Sequence, residues 1–467
     1  MIVIGGGLAG LAAGVALAEA GWQVRLFEQR PFLGGRATSY LLPNGENVDN
    51  CQHVTLGCCT NLADFYRRIG AGGKIEFFDR LVFLDPQGRR GEMRAGILPA
   101  PFHMTGSFAA FAPLSFGDKL SIARAMLSIL RTRGEVREKA ADGNNISMLE
   151  WLQRRKQTKR AIERFWRVVL VSALDEELDR TDARYGVQVF WKAFLSNRGG
   201  YRMGVPIVPL ANLYAGCSAS IERKGGEVHL RMPVRELIIE QGVVTAVKFD
   251  DGRTETADAY ILAVPHNAFA NLLPTSAKQA DESFRNLENL KDSPITGVHF
   301  WFDREVMTDP FVTLLDTTTQ WIFNKTTLYG HDASSADEGQ YLQLVISASY
   351  DLLRASRQEI IDLCLKEVRQ ALPKAREANL LKATVIKEAA ATFSPQPGVD
   401  RWRPTQQTNL RGLFLAGDWT NTGWPATMEG AVRSGYLAAE AVLNSAGTPR
   451  QFLVADLGPD GLVKFFA

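Results

Sequence analysis

The sequence predicts an α/β fold, α+β overall, on three observations. Residues 1–4 (MIVI) read as a short buried strand, and Gly5, Gly7 and Gly10 follow at G-x-G-x-x-G spacing before an Ala-rich helix. A second strand-like run, 24–27, ends in Glu28, about 20 residues beyond the glycines, where a carboxylate can accept from a ribose hydroxyl. Two more buried strands, 259–264 and 413–416, lie far down the chain, separated by long segments of different character. Together these predict a Rossmann-like dinucleotide-binding domain, interrupted by a discontinuous substrate domain of mixed sheet and helices. A chain of 467 residues exceeds the size at which one core stops growing, so two domains are expected.

Each glycine of the first turn has a task. Gly5 permits the tight turn, Gly7 lets a pyrophosphate approach the backbone, and Gly10 lets the helix lie close on the sheet. The helix entered at Leu8 and Ala9 offers unpaired N–H groups and a positive dipole end to phosphates. Gln29 follows Glu28 as a further candidate contact. Gly34 and Gly35 then precede Arg36, whose planar guanidinium suits phosphate oxygens. Residues 44–59, NGENVDNCQHVTLGCC, gather Asp49, Asn50, Gln52 and His53 beside apolar residues, as a site wall or a turn of satisfied side chains.

From residue 75 the character changes. Strand-like pieces at 75–78 and 81–83 lead into AGILPAPFHMTGSFAAFAPLSF, rich in Phe, Pro and Ala and nearly uncharged. An amphipathic helix follows, with Ala123, Met126, Leu127 and Leu130 at i, i+3, i+4, i+7. Residues 117–160 hold eleven Lys or Arg against five Asp or Glu. A basic stretch beside an apolar loop suits a membrane surface, or else a solvated hairpin over a core. Phe165 and Trp166, in the helical ERFWRVVLVSAL, are core or the wall of an apolar pocket.

Near residue 204 the dinucleotide domain resumes with a helix, a Gly225-Gly226 turn, a strand and a three-strand meander turning at Gln241-Gly242 and Asp251-Gly252. A second excursion, about 294–385, carries the strand candidates TGVHFWF and QYLQLVISAS and the helix RQEIIDLCLKEVRQAL. The last strand ends in Gly417-Asp418, and a helix starts near Met428. The expected division is 1–74, 204–290 and 386–446 for the dinucleotide domain, 75–203 and 291–385 for the substrate domain, and 447–467 for a C-terminal tail.

Composition narrows the function. A net charge of +2 gives no case for nucleic acid. Five scattered cysteines without a CxxC pair, six histidines without a ligand cluster, and a first strand that leaves no room for a signal peptide suggest a reduced, cytoplasmic, metal-free protein. No uninterrupted 18-residue apolar run is present to span a bilayer.

GGGLAG, Glu28, GGRA, PVREL, ILAVP and AGDWTNTGWPATMEGAVRSG, in order along the chain, resemble the flavin-containing amine oxidase and phytoene desaturase superfamily. The resemblance implies non-covalent FAD along the turn from Gly5 through Gly7, Leu8 and Ala9 to Gly10. It puts Glu28 and Gln29 at the adenosine ribose, Gly35 and Arg36 near the pyrophosphate, and the backbone of Val234 on the adenine. Gly417, Asp418, Met428, Glu429, Gly430 and Ala431 then surround the ribityl chain and flavin, the helix N-terminus favouring a reduced anionic ring.

DNCQHVTLG, FWRVVLVSAL, GVPIVPLANLY, PITGVHFWFDREV and QWIFNK are similar to a narrower branch, the hydroxysqualene dehydroxylases of bacterial hopanoid and squalene synthesis, although Cys51 stands where that branch usually has glycine. The implied reaction replaces the hydroxyl of a C30 hydroxysqualene by hydride from reduced FAD, giving squalene. Squalene or presqualene synthases would supply the substrate, and the electron donor is not identified by sequence. A proton donor is required: His53, or Asp49 with a pKa raised by an apolar pocket, with Gln52 beside them. Phe165, Trp166, Trp321 and Trp424 are available as aromatic faces for a developing cation. The alternatives are a carotenoid-type desaturase with opposite electron flow, then a flavin amine oxidase, then a non-catalytic FAD-containing lipid-binding protein. At about 0.8 kcal/mol per CH₂, carrying a C30 chain through water costs roughly 20 kcal/mol. Peripheral binding to the cytoplasmic face of the inner membrane is therefore expected, through residues 96–116, the basic stretch and the tail GLVKFFA.

Overall fold

The short apolar runs form one sheet. In the computed structural model, which describes residues 1–42, 45–274, 277, 281–330 and 339–465, five parallel strands lie in the order Glu227–Leu230, Arg25–Glu28, Ile2–Ile4, Tyr260–Leu262, Leu413–Leu415. The last three are buried throughout, which is why they read as continuous apolar runs. Helices Leu8–Glu19 and Met428–Ser445 pack on each other beside this sheet. Their close approach is set at Gly435, where a Cβ would lie 2.3 Å from the Ala9 carbonyl oxygen. The expected meander is present as Val234–Glu240, Val243–Phe249 and Thr254–Glu255, and Gln241 and Gly242 turn with positive φ.

A seven-stranded sheet builds the second domain, in the order Leu380–Phe393, Asp292–Phe302, Gln340–Ser347, Trp321–Asn324, Phe311–Leu314, Arg80–Leu84, Arg90–Arg94. Neighbours are antiparallel except Phe311–Leu314 on Arg80–Leu84. Helix Arg357–Ala371 covers one face through Ile360, Cys364 and Val368, joined there by Val298, Phe300 and Phe302. The two-residue period of a strand sends Gly297, His299 and Trp301 to the opposite face. That face meets the polar loop of the first domain: a Cβ on Gly297 would lie 3.0 Å from the Asn50 carbonyl oxygen.

Two expectations need correction. Strand Leu380–Phe393 stays paired with Asp292–Phe302 from Leu380 to Phe393, so residues 386–393 belong to the substrate sheet and the boundary moves past them. The pairing runs without a register shift from Lys382 to Glu388, straight across residue 386. In helix Phe116–Arg131 the buried residues are Asp118, Ser121, Ile122, Ala125 and Ile129. Ala123 is exposed, and Leu127 is 45% exposed, on a stripe with Phe116 at 82% and Leu120 at 42%. Met126 and Leu130 are half-buried against the core, so the stripe that periodicity marked straddles the boundary of the inward face.

The C-terminal segment is a strap. Val454 exchanges hydrogen bonds with the Asn61 amide at 2.8 and 3.0 Å, Asp456 pairs with Lys192 and Arg433, and the N–H groups of Asp460 and Leu462 donate to Ser196 and Ala100, each at 2.9 Å. It thereby ties helices of the first domain to the apolar loop of the second. Phe466 and Ala467 of the expected tail contact lie outside the described residues.

Candidate cofactor and active site

The three glycines of the first turn differ in what holds them. A Cβ at Gly5, whose φ is 109°, would lie 2.4 Å from the Ala263 carbonyl oxygen, and one at Gly10 would lie 2.0 Å from that of Gly5. The protein's own packing demands both. At Gly7 the nearest atom to a Cβ is Gly35 Cα, 3.9 Å away, and φ is −76°. Among the described residues nothing forbids a side chain there, so the cradle fits a group that comes close to the backbone, as a pyrophosphate does. Gly34 N donates to Gly6 O at 2.9 Å and fixes the Gly35–Arg36 loop beside the turn. Glu28 accepts from Gly6 N at 2.6 Å and Arg30 N at 2.8 Å, so its carboxylate stands at the same turn. Met232 N donates to Glu28 O at 2.9 Å and brings the segment leading to Val234 alongside. Leu8 and Ala9 are buried in the helix's first turn, and Gln29 is exposed.

Arg36 joins three distant pieces of chain. Its Nη1 donates to the Ala391 carbonyl and its Nη2 to Asp418 Oδ1, both at 2.7 Å. The two residues expected to meet the cofactor separately are thus paired with each other. The loop after Gly417 is held by Arg403, which sequence reasoning missed: its buried guanidinium donates to the carbonyls of Asp418, Thr420 and Trp424 at 3.0, 2.6 and 2.8 Å. Thr427 caps the last helix, its hydroxyl accepting from Gly430 N at 3.1 Å and its carbonyl from Ala431 N at 2.9 Å. The amides of Met428 and Glu429 precede any intrahelical acceptor and suit an electron-rich partner. The Glu429 side chain turns away from that role. Its carboxylate accepts from Asn61 N, Asn61 Nδ2 and Leu62 N at 3.2, 3.1 and 2.7 Å and pairs with Arg433, so it stabilises the start of helix Thr60–Arg68 instead.

The polar loop also departs from expectation. Asp49 is buried and accepts from Ser39 Oγ at 2.7 Å, Leu210 N at 3.1 Å, Lys325 Nζ at 2.8 Å and Tyr329 Oη at 2.5 Å. Burial alone would raise its pKa, but the Lys325 ammonium and the two hydroxyls outweigh burial and hold the carboxyl below its usual range. Asp49 is therefore a charged structural group rather than a neutral acid. His53 Nδ1 lies 2.9 Å from the Cys51 carbonyl oxygen. Only an N–H satisfies a carbonyl, so the proton is assigned to Nδ1, leaving Nε2 as the acceptor. Burial lowers the ring's pKa and so favours its neutral form, which suits a proton acceptor better than the acid expected from sequence. Gln52 Nε2 donates to the His53 carbonyl at 3.1 Å, while Gln52 Oε1 and Asn50 Oδ1 are buried acceptors without a donor among the described residues. Asn50 is fixed to Arg36 O by its Nδ2 at 3.0 Å, so its open oxygen stands where a bound hydroxyl or N–H would satisfy it.

Of the aromatic residues expected at a pocket, two are half-buried. Phe165 is half-buried and stacks on Phe190 at 5.6 Å, each in a π-helical turn, Ile162–Arg167 and Phe190–Leu195. Trp321 is half-buried, donates to Ser172 Oγ at 2.6 Å and stacks on Phe323. Trp166 is core: no part of it is exposed, and its Nε1 donates to Gln157 at 2.8 Å. Trp424 lies between two cations, Lys192 and Arg433, 5.0 and 4.9 Å from its ring centre, because a ring face attracts positive charge. Lys325 was detectable only as the last residue of QWIFNK, just after a buried strand.

A glycine cradle at the carboxyl end of the central strand of a parallel sheet, with a second sheet closing over a polar loop, defines a two-domain oxidoreductase built on a dinucleotide cofactor. The chain belongs to the flavin containing amine oxidoreductase family, whose pattern matches residues 8–443, and its cofactor is FAD. It is 28% identical to a zeta-carotene desaturase of Synechocystis sp., over 94% of this chain and 96% of that one. It is 27% identical to a 15-cis-phytoene desaturase of Solanum lycopersicum, over 95% and 77%. Among solved structures the fold resembles an oxidoreductase from Methanosarcina mazei, with TM-score 0.73, 18% identity and 95% and 99% coverage. It also resembles the cyclohexylamine oxidase of Brevibacterium oxydans, with TM-score 0.67, 17% identity and 96% and 99% coverage.

Proposed function

We propose that the chain carries out FAD-dependent hydride exchange on a linear polyisoprenoid. The observation that supports this substrate class is the hydrocarbon wall along the two π-helical turns. Half-buried Phe108 meets Phe165, and Phe165 and the half-buried Phe194 rest on the fully buried Phe190 behind them, with ring centres 5.5 to 5.7 Å apart. An amine substrate fits less well, since Trp424 is already flanked by Lys192 and Arg433, and Trp419 donates its Nε1 to the Val264 carbonyl. Bound FAD supplies or accepts the hydride. The chain's own tasks are to hold the isoprenoid in place, to exclude water and to move one proton.

Two directions meet these demands. The relatives are desaturases, which supports desaturation, and His53 offers an unprotonated nitrogen that can take the proton such a reaction releases. The second reading, reductive removal of the hydroxyl of hydroxysqualene, is supported by the substrate-half segments FWRVVLVSAL, PITGVHFWFDREV and QWIFNK, and it needs a proton donor. Anaerobic incubation decides between them: phytoene or zeta-carotene with oxidised FAD in one arm, hydroxysqualene with reduced FAD in the other. A more conjugated product in the first arm establishes desaturation, and squalene in the second establishes dehydroxylation. Failure of both with flavin bound removes the polyisoprenoid reading.

Such a substrate is best taken directly from lipid, and peripheral binding to a membrane surface is part of the proposal. It is supported by Ile97, Phe116 and Phe465, which are 94%, 82% and 82% exposed, with Lys119, Arg124, Arg131 and Lys464 on the same segments. Among the described residues no helix is long and apolar enough to cross a membrane.

A further inference from the structure

The site contains a carboxyl that the reading of Asp49 and His53 leaves unused. Asp175 follows the last residue of helix Val168–Leu174 in a left-handed conformation, φ 53° and ψ 38°. Its Oδ1 accepts from Ala348 N at 2.8 Å and its Oδ2 from Thr392 Oγ1 at 3.0 Å. Ala348 is itself left-handed, φ 51°, a conformation that costs an alanine more than an aspartate. Two unfavourable backbone conformations thus meet in one hydrogen bond, an arrangement that clusters at functional sites. Asp175 is 4% exposed, and both of its carboxylate oxygens are held by uncharged donors.

The surroundings place this carboxyl in the site. Thr392 follows Ala391, the acceptor of Arg36, and the helix that ends at Asp175 carries Ser172, the acceptor of Trp321. On the polar loop, burial and then the charge of Asp175 push the Cys51 thiol up to about 12. Arg36 is the cation whose field reaches Asp175, and Arg36 is already committed to Asp418. Glu176 beside it is buried as well, accepting from Tyr350 Oη at 2.7 Å, from Ser394, and from Arg180 at 3.4 Å.

We infer that Asp175 is the proton-donating carboxyl of the site, poised between the substrate helix and the Arg36 loop for reaction in the reductive direction. This rests on the dehydroxylation reading above. The Asp175 O–H bond breaks and its proton goes to the substrate hydroxyl. The C–O bond then breaks with its electron pair on oxygen, water leaves, and the carbon takes the hydride that reduced flavin supplies. The carboxylate that remains is held by Ala348 N and Thr392 Oγ1 until solvent reprotonates it. Burial, reinforced by Glu176 and opposed by those two hydrogen bonds and Arg36, keeps the carboxyl protonated well above the usual range.

The test uses FAD-loaded protein with reduced flavin and hydroxysqualene in single turnover, beside infrared spectra of the resting protein. Wild type should show a protonated-carboxyl band near neutral pH that D175N lacks. D175N should be slower by at least about a hundredfold and lose the alkaline limb of the pH–rate profile, with flavin content retained. T392V removes one hydrogen bond from the carboxylate, so the alkaline limb should move to higher pH; this variant carries the test if D175N does not fold. No squalene from wild type overturns the dehydroxylation reading and this role with it. Squalene from wild type with an unchanged D175N rate, no protonated-carboxyl band, or an unmoved limb in T392V overturns the role of Asp175 alone.

Discussion

Lys325 Nζ lies 2.8 Å from Asp49 Oδ2 with both side chains sealed from solvent, 0% and 1% exposed, and the pair joins the polar loop of the FAD domain to the substrate domain. Removing one member leaves the other charge buried alone. K325M should cost about 3–5 kcal/mol in urea unfolding, and K325M/D49N should recover most of it. The stability that the Asp49 shift contributes is present above its unfolded pKa of about 3.9 and is lost as pH falls through the lower folded value. Equal midpoints for the single and double variants would show that the two residues are not coupled.

That pair also marks where sequence reading stops. Gly5, Gly10 and Glu28 were legible because a strand, a turn and a helix within thirty residues impose their geometry locally. The partner of Asp49 is 276 residues away, and nothing at either position names the other. The same holds for Arg36 with Asp418 and for Asp175 with Thr392, separated by 382 and 217 residues. Apolar periodicity found helix Phe116–Arg131 but only the margin of its inward face: Met126 and Leu130 pack against the core beside Ile122, Ala125 and Ile129, while Leu120 and Leu127 form a second apolar stripe outside. Whether Trp166 is core or pocket wall stayed open in the sequence, and the cations beside Trp424 were not visible there, because a tryptophan in core, between cations or at a pocket has the same letter. Only the three-dimensional neighbours separate these cases.

Gly7 and Gly10 should respond differently to alanine. The Cβ of Gly7→Ala has 3.9 Å of clearance, so melting of the flavin-free protein should shift little while the absorbance of bound flavin falls sharply. The Cβ of Gly10→Ala would lie 2.0 Å from the Gly5 carbonyl oxygen and should lower the melting temperature of flavin-free protein outright. Full flavin retention in Gly7→Ala would mean that the cradle does not hold the pyrophosphate.

His299 should make the fold acid-sensitive. It is fully buried, its Nδ1 lies 2.8 Å from Tyr341 Oη, and burial pulls its pKa down to about 3. The unfolded chain takes up a proton near pH 6.5 and the folded ring does not until about pH 3. Stability is therefore complete above the unfolded value and falls by about 1.4 kcal/mol per pH unit below it. Other lowered histidines, His53 among them, add to the slope, so the difference between wild type and His299→Phe isolates one proton. Parallel stability–pH curves for the two proteins would refute a buried neutral His299.

Membrane binding should be separable from folding and from flavin binding. Ile97, Phe116 and Phe465 contribute to exposed surface rather than core, so the triple change to serine should leave melting temperature and flavin content unaltered. Inserting such side chains into lipid is worth about 1.5–3 kcal/mol each, so the triple variant should bind vesicles at least roughly a thousandfold more weakly. Lys119, Arg124, Arg131 and Lys464 add an electrostatic term, so wild type should prefer anionic vesicles and lose that preference, but not all binding, in high salt. Cosedimentation of the triple variant with vesicles as complete as that of wild type would sink the docking face. Complete release of wild type by salt alone would instead leave a purely electrostatic contact, too superficial to draw a hydrocarbon out of the bilayer.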